Sequence, residues 1–231
     1  MARRKTNVTK EVRINNRDRI AFEILSKGGW VSKDVIVEKT SNNRLEVWRD
    51  KGVWEVKTFP DNNGNSFTSV RLTRKGEELA EKTWGLSDHA RTKVSSIGHD
   101  TAVGNKLSSL TETERETAMT EDAQWKVFHQ KVNELRQEVT DLKEKSENFR
   151  YVSSEDREQA REQWLEKLDR VNQIDDMFDR KEFSATDLAY INEQGELICY
   201  EVITSNYSRE ERAQKQAFAS IIGARLIEER V

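Results

Sequence analysis

The feature that most constrains this chain is a run of apolar residues in its middle. Trp125, Phe128, Val132, Leu135, Val139 and Leu142 follow in alternating steps of three and four, and Phe149 continues the phase. That spacing is the heptad seam of an α-helix. At about 1.5 Å per residue, a helix over 121–149 reaches about 40 Å, longer than a small domain needs, so its seam must pack on something. Ser153-Ser154-Glu155-Asp156 has the form of a capping box and opens a second helix with Ala160, Trp164, Leu168, Val171 and Phe178 on one face. The two helices would close as an antiparallel hairpin, or the first would pair with its copy in a homodimer. The short connection favours the hairpin, and both can hold at once.

Composition sets the frame around that helix. The chain has 231 residues and a mean hydropathy of -0.88, too polar for a single core of that length. Cys199 is the only cysteine, so no intramolecular disulfide forms, and no Cys/His cluster has zinc spacing. No stretch approaches the roughly 18 apolar residues of a membrane span, and the N-terminus lacks a signal-peptide core. The expectation is a soluble, cytoplasmic protein with no membrane contact. The net charge of -3 hides a division: Met1 to Gly85 holds 18 Lys and Arg against 12 Asp and Glu, a net of +6 that leaves -9 for the rest. One end is suited to phosphates and the other repels them.

Residues 1–16 carry Arg3, Arg4 and Lys5 among few apolar residues and read as a basic arm, either a solvated tail or a strand along a DNA backbone. A first helix follows with Ile20, Ile24 and Leu25 on one face, stopped at Gly28-Gly29. Ser32 caps a short second helix through Val35 and Ile36. Ser41 caps a third, Asn42 to Lys51, with Leu45 and Trp48 on its apolar side. The alternating runs 54–59 and 67–72 flank the turn-rich 60–66 and predict a hairpin, after which Thr73 caps a closing helix through Leu79.

Three helices, a hairpin and a further helix, with Leu72-Thr73-Arg74-Lys75-Gly76 leading into the last, resemble the winged helix-turn-helix family over about the first third of the chain. The resemblance implies that Asn42–Lys51 lies in the major groove of double-stranded DNA and that the wing, with Asn62 and Asn63, touches backbone or minor groove. Asn42, Asn43, Arg44, Arg49 and Lys51 are then the contact candidates, because Arg can grip guanine and Asn adenine with paired hydrogen bonds. Glu46 fits that role less well. Winged helices also serve as protein-interaction modules, which keeps a protein partner open. Residues 86–120 are poorly patterned and read as a linker with one helix around His99 to Leu110. His89, His99 and His129 have no metal-ligand spacing and read as surface or packing residues.

The strongest strand candidates are 185–191 and 197–204, separated by Asn192-Glu193-Gln194-Gly195-Glu196, a loop suited to a type I turn with a G1 bulge at Gly195. In that register Asn192 faces Glu196 and Asp187 faces Glu201. Opposed carboxylates weaken a hairpin unless a cation or a nearby Lys or Arg balances them. The order of elements resembles the PD-(D/E)xK nuclease fold, which implies Asp187 and Glu201 as catalytic and Mg²⁺-binding acids. The family's Pro is Thr186 here and its Lys is Ile203. Lys215, on a helix that Ser208-x-x-Glu211 caps, would supply the amine instead. The TDLAYINEQGELICYEV segment, taken with the N-terminal pattern, is also similar to the replication-relaxation proteins of plasmids, phages and integrative elements.

The expectation is therefore an α+β chain with a basic arm (1–16), a winged helix (17–85), a linker (86–120), a long coiled-coil-like helical middle (121–180) and a small C-terminal α/β domain with a β-hairpin (181–231). The leading reading is sequence-specific binding of double-stranded DNA of a mobile element, as transcription regulator or replication or transfer factor, needing no cofactor. The alternative is a Mg²⁺-dependent endonuclease.

Overall fold

The computed structural model describes residues 14–60, 65–91, 97–149, 152–204 and 207–230. Arg3, Arg4, Lys5, Asn62 and Asn63 lie outside them. The chain is mixed α+β and divides into two compact units, Met1–Ser108 and Ser109–Val231. No helix among the described residues is long and apolar enough to cross a membrane.

The first unit begins with α1 (Asn16–Gly28), whose start is fixed by a capping box between Asn15 and Asp18. Gly29, at φ 68, ends it in a conformation that side-chain-bearing residues avoid. β1 (Val31–Ser32), α2 (Lys33–Lys39) and α3 (Asn42–Asp50) follow. Ser41 caps α3 by accepting from the Arg44 amide at 3.2 Å, whereas Ser32 precedes α2 without a side-chain cap. β2 (Trp54–Pro60) and β3 (Ser66–Leu72) form the expected hairpin, pairing Trp54 with Leu72 and Phe59 with Phe67. β1 joins the far side of β3 through Val31 and Val70, giving the order β1-β3-β2. Thr73 caps α4 (Arg74–Trp84). Burial of Phe22, Ile24, Leu25, Ile36, Leu45, Trp48, Trp54 and Val70 unites helices and sheet in one apolar core.

The expected linker departs from its reading. The helix expected around His99 to Leu110 is present as α5 (Ile97–Ser109), and residues 97–108 belong to this unit, because α5 buries Ile97, Val103 and Leu107 together with the small and polar Thr101, Gly104 and Ser108. A Cβ added at Gly104 would stand 2.5 Å from the Trp30 carbonyl oxygen. Thr101 bonds Ser69 at 3.0 Å, and the Asn105 side chain accepts the Ser32 amide at 3.1 Å. Gly104→Ala is expected to push α5 off this surface and cost about 1–3 kcal/mol, the usual range for an overpacked contact. A lowered urea midpoint would register it, and an unchanged midpoint would contradict the packing.

The second unit opens with a short α6 (Glu112–Thr117) and then α7 (Glu121–Glu147) and α8 (Ser154–Asp179). α8 lies antiparallel against α7, with Arg136 bonding Asp175 at 2.6 Å and Lys167 paired to Glu138. The hairpin is thus formed within one chain. Phe128 and Val132 of the seam are buried, but Phe149 lies past the helix and is 78 % exposed. On α8, Ile174 takes the buried place expected of Phe178.

β4 (Leu188–Ile191) and β5 (Leu197–Ile203) are antiparallel, and β6 (Arg225–Arg230) adds in parallel after α9 (Arg209–Ile222). The hairpin register is the expected one: Leu188 pairs with Tyr200, Asn192 bonds Glu196 backbone to backbone at 2.9 Å, and Gly195 has φ 79. α7 and α9 cover the sheet, where Trp125 and Phe218 meet edge to face at 4.8 Å between ring centres.

Candidate functional site

Two sets of candidate residues emerge, one in each unit. On α3, Leu45 and Trp48 are buried, the opposite side presents Asn43 and the apolar Val47 to solvent, and Asn42 is exposed at the start of the helix on its flank. Arg49 is half exposed and pairs with Glu46 and with Asp50, the latter at 3.1 Å. The Lys51 carbonyl receives the Lys75 ammonium at 2.8 Å.

Arg44 differs from its expected place. Its Nε donates to Asp18 Oδ1 at 2.9 Å, a terminal nitrogen donates to Oδ2, and the guanidinium lies over the Trp48 ring at 5.2 Å. Trp48 Nε1 donates to the same Asp18 Oδ1 at 3.0 Å, and Asp18 Oδ2 also accepts the Asn15 amide at 2.8 Å. Asp18 has no exposed surface. Arg44 therefore ties α3 to α1 instead of extending from it. The reason lies in helix spacing: Arg44 is four residues before Trp48 and next to Leu45, at the margin of the buried face. Asp18 reads in the sequence only as a helix-start residue, and nothing local marks it as a hub.

In the second unit the structure brings Asp187, Glu201 and Lys215 together. Glu201, 2 % exposed, receives the Asp187 amide on Oε2 at 3.0 Å. Asp187 Oδ2 in turn receives the Val202 amide at 2.8 Å. Just before β4 begins, the two carboxylates thus take the place of ladder hydrogen bonds between the two segments. From α9, the Lys215 ammonium reaches Glu201 Oε1 at 3.1 Å and also donates to the Ala185 carbonyl. Ile203, on the same face of β5 as Glu201 by strand alternation, is buried. Lys215 of α9, the residue named from the sequence as a source of an amine, is thus bonded to Glu201.

Two neighbours escaped the sequence. Tyr207 donates its hydroxyl to Glu201 Oε1 at 3.0 Å. Gln124 of α7, with no exposed surface, bonds the residue before Asp187: its Oε1 accepts from Thr186 N at 3.1 Å and Thr186 Oγ1 at 2.8 Å, and its Nε2 donates to Thr186 O at 2.8 Å. Gln124 lies one position before Trp125, off the seam that draws the eye. Its only sequence signal is an uncharged polar residue beside the apolar stripe.

Burial first, and then the nearby Asp187 charge, push the Glu201 carboxyl up to about 7, while Lys215 acts in the opposite direction. Desolvation and the adjacent Glu201 raise the Tyr207 hydroxyl further above its ordinary range, so it acts as a donor. Two adjacent carboxylates are the donor type a hard divalent cation takes, and a cation here would have to exchange with the Lys215 ammonium and the Tyr207 hydroxyl that now hold Glu201 Oε1. Among the described residues no group of three or more His, Cys, Asp or Glu is placed to hold a metal, and Asp187 and Glu201 are a pair of carboxylates only. Compared with known proteins, the chain matches no family model, no curated protein and no solved structure.

Proposed function

We propose that this chain binds double-stranded DNA in a sequence-specific manner, with Met1–Ser108 acting as a winged helix. The observation that carries the reading is the order α1-β1-α2-α3-β2-β3 with strands arranged β1-β3-β2. In that arrangement a third helix anchored by Leu45 and Trp48 offers Asn42 and Asn43 to a major groove. Arg49 contributes by exchanging Glu46 and Asp50 for phosphate or a guanine edge, and Lys51 lies at the end of the same helix. Arg44 supports the helix from behind. The similarity to replication-relaxation proteins extends the proposal to control sites on mobile-element DNA.

The test is selection of duplexes from a random library by the full chain, followed by titration of the selected site across salt concentrations. Asn43→Ala and Arg49→Ala are each expected to weaken that site about 10-fold to 100-fold, the worth of a base-edge contact. Affinity that is salt-independent, or unmoved by both substitutions, would remove DNA reading by α3.

A second reading is favoured by the convergence of Asp187, Glu201 and Lys215 from three separate segments. On this reading the second unit is a metal-dependent phosphodiesterase acting on DNA. Asp187 and Glu201 would hold a Mg²⁺ ion, which supplies Lewis-acid stabilisation of charge on a phosphodiester. Lys215 fixes the Glu201 carboxylate and places a positive charge beside it, and Tyr207 holds the same oxygen. Incubating the selected duplex with Mg²⁺ or Mn²⁺ separates the readings. Cleavage that Asp187→Ala and Glu201→Ala each abolish supports the enzyme, and intact DNA supports a binding protein alone.

A further inference from the structure

We propose that Gln124 is a positioning residue for the acid pair, a buried amide that clamps Thr186 and thereby sets the Asp187 carboxylate opposite Glu201. The inference rests on the phosphodiesterase reading of the same site. Thr186, like Gln124, has no exposed surface, and its amide, carbonyl and hydroxyl all bond the Gln124 side chain. No strand ladder serves those groups, because β4 begins only at Leu188. A buried amide and carbonyl without partners are costly, so the Gln124 head group substitutes for the missing ladder at the residue where the chain enters the site.

The clamp is reinforced from the same side. Gln124 Nε2 also contacts the Met119 carbonyl at 3.4 Å, and Met119 exchanges two backbone hydrogen bonds with Ala189, at 2.7 and 3.1 Å. Asp187 is thereby held between two anchored residues, Thr186 and Ala189. Its backbone amide is left to meet Glu201 Oε2, and its carboxylate to meet the Val202 amide. A side chain that held this segment merely for stability would be served equally by any packed group. Gln124 instead matches three polar groups of a single residue, the one next to the acid.

The Val202 amide reports directly on where the Asp187 carboxylate lies, with or without metal. In Gln124→Met, amide exchange at Val202 is expected to accelerate about tenfold relative to Cys199 in the same strand. Mn²⁺ affinity of the full chain is expected to fall about 10-fold to 100-fold, the usual effect of losing a residue that orients a ligand. Thr186→Val, which removes the hydroxyl with its contacts to Gln124, to the Leu188 carbonyl and to the Cys199 thiol but keeps the amide and carbonyl bonds to Gln124, should shift both readouts in the same direction by a smaller factor and keeps the test available if Gln124→Met does not fold. Val132→Ala, a core change on the same helix, should lower stability and move neither. Val202 exchange that tracks Cys199 in both clamp variants overturns the proposal. A selective Val202 response in a protein whose wild type binds no Mn²⁺ supports the clamp and overturns the metal reading.

Discussion

Asp18→Ala is expected to destabilise the first unit by about 3 kcal/mol or more, although Asp18 lies in neither candidate site. Its carboxylate, with no exposed surface, accepts from Arg44, Trp48 Nε1 and the Asn15 amide at once. Removing it takes away the Asp18 half of the α1 capping box, the anchor of α3 and the carboxylate that the Arg44 guanidinium bonds through two nitrogens. Breaking a buried pair from one side costs about 3–5 kcal/mol, and the 23 % exposure of the Arg44 side chain, which lets it reach water, argues for the lower end. Arg44→Ala should cost at least as much, because it strands the fully buried acid. The double variant should fall short of the summed losses by about 1–3 kcal/mol, since the two residues act as one unit. Tryptophan-monitored urea unfolding, with Trp48 in the network, measures all three. Additive losses would mean that the pair carries no coupling. A loss of DNA binding in Arg44→Ala would then have to be compared with this loss of fold before it is credited to a base contact.

How much of this was legible in the sequence depended on the range of the interaction. Local signals held well: the caps at Ser41, Thr73 and Ser208 each receive the hydrogen bond their spacing suggests. The period-two runs of 54–59 and 67–72 became a hairpin, and the Asn192-to-Gly195 turn fixed a register that set Asp187 against Glu201. Turn chemistry determines register, and register determines which side chains oppose one another. Contacts between distant elements were not legible. Arg44 and Asp18 are 26 positions apart, and Gln124 and Thr186 are 62 apart, with no periodicity linking either pair. α5 was legible as a helix but not as part of the first unit, because its buried Ile97, Val103 and Leu107 are interleaved with Thr101, Gly104 and Ser108, which contribute fit without a hydrophobic signal. β6 was missed because Arg225, Glu228, Glu229 and Arg230 mask a short strand whose pairing with β5 is supplied by tertiary structure.

Lys215→Met should be the most pH-dependent substitution in the chain. Glu201 is buried beside Asp187, and the Lys215 ammonium is the positive charge bonded to it. With the carboxyl at about 7 in the folded protein, above its ordinary 4.5, the native state holds a proton that the unfolded chain has released throughout that interval. Stability of the wild type from this group is therefore full below about pH 4.5, falls as pH rises and levels off above about pH 7. At about 1.4 kcal/mol per pH unit, the fall amounts to about 3 kcal/mol. Glu201→Gln, which cannot ionise, should flatten that slope. In Lys215→Met the opposing positive charge is lost, so the carboxyl moves higher still and the decline continues beyond pH 7. At pH 8 the variant should lie about 3–5 kcal/mol below the wild type, because one partner of a buried pair is gone. At pH 5, where Glu201 carries its proton, the gap should shrink to the loss of the Ala185 and Glu201 hydrogen bonds, about 1–2 kcal/mol. Urea unfolding at pH 5, 6, 7 and 8 for the three proteins resolves these curves. A Lys215→Met deficit equal at every pH would mean that the ammonium supports packing and does not balance the Glu201 charge.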